Sequence, residues 1–148
     1  MKTFITIIFT LLLVGCPNKD EGGFSSISKG NLFGAGEEGF KKENIIISSK
    51  EDWKVFLTKV DKTNKVSKTF DNAIDFNKEK VIVVIDKVRN TGGFSVEVTD
   101  VVNEEDQTII KVKTTGPKPT DMVVTAIMQS YHIIKIKKTN KKIKFLEL

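Results

Sequence analysis

Beyond residue 43 the apolar positions come in short blocks with two different periods, and these blocks predict one helix and about six strands. In "NIIISSKEDWKVFLTKV" (44–60), Ile45 to Ile47 form a β-branched run that reads as a strand. Ser49 then suits a helix N-cap, with Glu51 and Asp52 in the first turn, where the helix dipole favours negative charge. Trp53, Phe56, Leu57 and Val60 recur at i, i+3, i+4 and i+7, one face of an amphipathic helix near residues 50–60. Further on, Val81 to Ile85 are five consecutive apolar residues, the pattern of a central strand covered on both faces. Phe94, Val96 and Val98 instead alternate with Ser95, Glu97 and Thr99, as in a strand with one face in water.

Turn signals fix how these strands are expected to connect. Asn90-Thr91-Gly92-Gly93 is a turn cluster in which glycine reaches positive φ without steric cost. Residues 80–88 and 94–102 are accordingly expected to pair as a hairpin. The polar residues 103–106 lead to a third strand, "QTIIKVKTT" (107–115). Pro117 and Pro119 in "GPKPTDM" (116–122) break regular structure. After a further apolar stretch, "YHIIKIKK" and "KKIKFLEL", joined by "TN", read as a closing hairpin. The expected fold is α+β and β-rich: an antiparallel sheet of about six strands, sandwich-like or open, with one covering helix.

The N-terminus follows another logic. Lys2 precedes an unbroken stretch of apolar residues and threonines from Phe4 to Val14, about half the roughly 20 residues a spanning helix needs and the right size for a signal-peptide core. Leu13-Val14-Gly15-Cys16 resembles the lipobox of bacterial lipoproteins. That resemblance implies cleavage of residues 1–15, a diacylglycerol on the Cys16 sulfur and an acyl chain on its freed amine. Cys16 is the chain's one cysteine; free, it would be an oxidation liability after export. Several acyl chains, at about 0.8 kcal/mol per buried methylene, hold a protein on a membrane where one holds it only marginally. The expected location is thus the cell envelope. Lys19-Asp20-Glu21 resembles the surface-export signal of some Gram-negative lipoproteins, beginning one residue later, but a solvated tether carries such charges too, so the outer membrane or cell surface stays open.

Composition divides the rest. Six of the ten glycines lie within residues 16–43, together with Ser25, Ser26 and Ser28, and no apolar period is visible there. This segment reads as a Gly/Ser-rich tether with a root-mean-square span of about 30 Å, although Phe24, Phe33 and Phe40 offer means of pinning part of it down. Residues 44–148 are then a single globular domain. The 24 basic residues against 19 acidic ones are a modest excess, concentrated in "KIKKTNKKIK" (135–144). No long basic stripe with interleaved aromatics is present, so no nucleic-acid partner is expected. Lysines of this kind suit an edge strand.

The chain offers little for catalysis. His132 is the one histidine and cannot alone supply the two or three ligands of a usual metal site. Ser130 is expected on the opposite strand face, which excludes a nucleophile–base pair. His132 is expected to be structural, with a ring nitrogen bonded to backbone or water. Thr91-Gly92-Gly93 lacks the longer glycine pattern and lysine of a phosphate loop. No enzyme, metal or cofactor is expected.

Two segments do carry a resemblance. "NTGGFSVEV" (90–98) and "MVVTAIMQSYHIIKIKK" (122–138) resemble the C-terminal domain of PrcB-like protease-complex proteins. That family shows a "TGGYSIEI"-type turn and strand and, after a Gly/Pro-rich loop, a segment like "VTQALTSPYHIVKIPK". Here Phe94 replaces the tyrosine and Ser130 the proline. The resemblance implies an envelope lipoprotein, not itself a peptidase, that serves the production or stability of a secreted protease complex; a monomer is expected. The elements it marks as a partner-binding surface are Asn90, Thr91, Gly92 and Gly93 with Gly116, Pro117, Lys118 and Met122. "RNTGGF" (89–94) is also distantly similar to the "NPTTGY" loop of chagasin-type cysteine-protease inhibitors, without its proline, so an inhibitor is the alternative. An envelope lipoprotein with a structural or ligand-binding role is the third reading.

Overall fold

The computed structural model describes residues 23–71 and 73–148. Its seven strands are β1 (Phe24–Phe33), β2 (Glu43–Ile47), β3 (Glu79–Ile85), β4 (Ser95–Asn103), β5 (Gln107–Thr115), β6 (Met128–Lys137) and β7 (Lys142–Glu147). The helix α1 (Lys50–Val60) lies between β2 and β3, followed by a short 3₁₀ turn, Val66–Thr69. One sheet has the order β1-β6-β3-β2 and the other β4-β5-β7. The fold is therefore β-rich and sandwich-like, with one helix, as the pattern of the chain predicts.

The four-stranded sheet is the middle of three layers, which explains why β3 and β6 are apolar on both faces. Val81, Val83, Ile85 and Ile133 face α1 and pack with Trp53, Phe56 and Val60. Ile82, Val84, Ile134 and Ile136 face the other sheet and meet Val96, Val98, Ile110 and Val112. Ser49 caps α1 as expected, its Oγ accepting from the Asp52 N–H at 3.1 Å. Trp53 stacks on Phe56 with centroids 5.4 Å apart.

Three expectations need correction. The tether is folded from Phe24 onward: β1 pairs antiparallel with β6, from Phe24 opposite Ile136 to Phe33 opposite Met128. Its register shifts between Ser26 and Ser28, so Ile27 is an inserted residue. That bulge turns Ile27 to the same core as Leu32, five positions on, which hides the period of two. Phe40 also joins that core. The structure thus places residues 24–43 with the domain.

The strand at 79–85 does not form a hairpin with β4. It pairs with β2 and β6, because a strand apolar on both faces needs the middle layer, whereas β4 pairs with β5 and covers one face only. The residues between β3 and β4 cross from one sheet to the other. Nor do β6 and β7 close a hairpin: after 138–141 the chain changes sheets, and β7 lies parallel to β5, Gln107 opposite Lys142. That pair makes the second sheet mixed rather than antiparallel. The expected lysine-bearing edge is realised by β7 with Lys142 and Lys144, while Lys135 and Lys137 fall on the interior strand β6.

Candidate functional site

The link between β3 and β4 is held by groups its own sequence supplies. The Asp86 carboxylate, 1% exposed, receives the Arg89 guanidinium in a forked pair, Nε at 2.7 Å and Nη2 at 3.1 Å. The same guanidinium lies 4.2 Å from the Phe94 ring centroid, a cation–π contact. The Asp86 N–H donates to Ser130 O, and the main chains of Arg89 and Met128 exchange two hydrogen bonds. Ser130 Oγ donates to Phe94 O at 3.0 Å. The turn at residues 90–93 is thereby fastened at both ends to the start of β6.

The loop between β5 and β6 meets this turn. The Gly92 N–H donates to Val124 O at 2.9 Å. Gly93 adopts φ +87°, a backbone state that L side chains rarely occupy, and a β-carbon there would stand 3.3 Å from Pro117 Cβ. At Gly116 a β-carbon would fall 2.6 Å from the Phe94 ring. Glycine is thus needed at these positions for two loops to close on each other. Lys118 and Asp121 form their own turn: the Lys118 N–H donates to Asp121 Oδ2 at 2.7 Å, and the Asp121 N–H to Lys118 O at 3.0 Å.

All eight residues expected as a binding surface therefore lie on two loops in van der Waals contact at one end of the sandwich. Gly93, Gly116, Pro117 and Met122 border an open cleft of about 730 Å³ that also takes in Thr120, Asp121, Val123 and Val124. Gly92 is buried and serves loop contact, whereas Lys118 and Met122 are exposed, Met122 completely. Phe33, Val123, Val124 and Ile127 are further exposed apolar residues at this end. Residue-by-residue reading passed over them because the stretch before "YHIIKIKK" shows no period that separates strand from loop. Its high apolar content next to two prolines was the available signal.

Chemically this end offers apolar side chains, main-chain groups and the oppositely charged Lys118 and Asp121. His132 lies elsewhere, between the sheets. The Val98 N–H donates to its Nδ1 at 2.9 Å, so the ring proton sits on Nε2, which pairs with Ser26 Oγ at 3.0 Å. Burial first, and the Lys29 charge second, push its pKa down to about 4, with Glu97 opposing. A neutral imidazole with both nitrogens bonded is the structural histidine the sequence predicts. The expectation for Ser130 is corrected: two positions apart on a strand, Ser130 and His132 share a face. They remain separate because Ser130 Oγ is engaged by Asn31 and Phe94. Among the described residues no group of three or more His, Cys, Asp or Glu side chains is placed to hold a metal ion. Cys16 and residues 1–22 as a whole lie outside the described residues.

The arrangement defines a class: a β-rich three-layer domain that fastens a glycine turn and a proline loop together at one end. Residues 80–137 match the family model described as PrcB C-terminal. The match runs from β3 to the end of β6 and contains both loops, while β1, β2, α1 and β7 lie outside it. No curated protein and no solved structure matches the chain.

Proposed function

We propose that this protein is a lipid-anchored, non-catalytic component of the cell envelope that binds a secreted or surface protease and serves as an accessory or stabilising subunit of its complex. The observation that carries the reading is the closure of the two loops into one surface inside the segment that matches the PrcB C-terminal family. Loops set on a rigid scaffold are a common place for binding function. Fully exposed Met122, with Val123 and Val124 beside it, supplies an adaptable apolar contact of the kind protein interfaces use. Anchoring follows from the lipobox-like residues ending at Cys16.

Deletion of the gene tests this. A stabilising subunit's loss lowers the abundance of a co-purifying envelope peptidase, and a Met122→Asp, Lys118→Glu protein that still folds fails to restore it. An inhibitor's loss raises proteolysis instead, and an unchanged peptidase pool contradicts both. Mass spectrometry of the native protein, showing acyl chains on Cys16 or a free thiol there, tests the anchor separately.

A further inference from the structure

The described chain begins at Gly23, one residue before β1. The first residue of β1 pairs with Ile136 and the last with Met128, so the chain enters the sandwich at one end, and the loops that meet at Gly93 and Pro117 stand at the other. A strand of this length spans about 33 Å at roughly 3.3 Å per residue. Cys16 lies only seven positions before Gly23. That length of chain reaches at most about 25 Å. Because β1 takes up the middle of the expected tether, the leash is shorter than the domain it holds.

We propose that the end of the sandwich where β1 begins, formed by turns 75–79, 103–106 and 138–141, rests against the phospholipid surface, and that the loop pair faces away from it toward the partner. This rests on the reading of Cys16 as the acylated anchor. The three turns are tied into one face: the Lys138 N–H donates to Lys78 O at 2.7 Å, and the Lys141 ammonium to Glu104 O at 2.5 Å. Charge does not set the orientation. On these turns Lys78, Lys138 and Lys141 stand with Asp75, Glu79, Glu104, Glu105 and Asp106, which leaves no net excess of cations. The leash sets it: the exit point at Gly23 stays close to the headgroups, and the body of the domain is sterically confined to the far side. The partner surface then lies within about 60 Å of the bilayer, the sum of strand and leash.

The chain from Cys16 onward has one thiol, Cys16 itself, so it can be coupled to a maleimide-bearing lipid in phosphatidylcholine vesicles without further mutation. Lysine acetylation read by mass spectrometry then compares anchored with free protein. The expected result is a several-fold loss of reactivity at Lys137, Lys138 and Lys142, with Lys87 and Lys118 unchanged. A 30-residue Gly/Ser insertion after Glu21 is expected to erase the difference. Equal protection at both ends, protection of Lys118, or protection that survives the insertion overturns the proposal. So does protection seen only when anionic lipid replaces phosphatidylcholine, which would mean a charged patch rather than a leash. Coupled vesicles test the geometry alone, so its failure is distinct from absence of acyl chains on native Cys16, which would remove the anchor and the orientation with it.

Discussion

Replacing His132 by glutamine tests the three-layer core through one titration. The imidazole accepts the Val98 N–H on Nδ1 and holds its proton on Nε2 toward Ser26, so a second proton can enter only by breaking the bond to Val98. With a folded pKa of about 4 against roughly 6.5 when unfolded, the unfolded chain binds more protons between those values. Stability is then fully present above about pH 6.5 and falls as the pH drops toward 4. The full loss is about 3 kcal/mol, at roughly 1.4 kcal/mol per pKa unit, and about 2 kcal/mol of it is gone by pH 5. Asp75, Glu97 and Asp100 are lowered, chiefly by hydrogen bonds from Asn77, Lys29 and Lys111 respectively, and their contributions to stability are lost only as the pH falls through and below the ordinary carboxylate range of roughly 4 to 4.5, beneath the pH 5 end of the comparison. Urea unfolding at pH 8, 6.5 and 5 reads the effect. The His132→Gln protein is expected to be less stable overall yet to lose about 2 kcal/mol less than the parent between pH 8 and 5. The imidazole NMR signals of the parent should titrate near pH 4. A midpoint above 6, or an unchanged pH slope in the variant, would refute the buried neutral histidine.

Four further outcomes follow from packing and exposure. Leu32 is 2% exposed in the core beneath α1, so Leu32→Ala should cost about 3 kcal/mol in urea unfolding; a loss below about 0.5 kcal/mol would mean that β1 is not part of the fold. Arg89→Ala leaves the Asp86 carboxylate, 1% exposed, without its cation and should cost about 3 kcal/mol, measured by the same assay. Gly93→Ala forces a side chain into φ +87° next to Pro117 and should cost about 1–2 kcal/mol, whereas Met122→Asp at a fully exposed position should leave the thermal midpoint unchanged and act on binding alone.

How much of this could be read from the chain depended on whether the cause was local. Ser49, the acidic first turn and the face of Trp53, Phe56 and Val60 specify α1 within one stretch, and the β4–β5 hairpin follows from a polar turn between two alternating strands. The two loops were legible as binding candidates because glycine and proline mark them, and the structure brings them into contact. The choice of strand partners was not legible, because it depends on which faces remain to be covered. β3, apolar at every position from Val81 to Ile85, needs cover on two sides, a requirement met only when β6, α1 and the second sheet are in place. β1 was hidden by one inserted residue, Ile27, which shifts the apolar positions out of alternation. The exposed residues Val124 and Ile127 gave no sign of their position, because apolar content alone does not separate surface from core.

Site-specific photocrosslinking in the protein's own cells tests the central claim most directly. A photoreactive residue at Met122, on the loop end, is compared with one at Val55, which is also exposed but lies on α1. The account expects a secreted or surface peptidase joined to position 122 and absent from position 55. A peptidase captured equally at both positions, or at position 55 alone, would contradict it, as would crosslinks from position 122 that contain no peptidase.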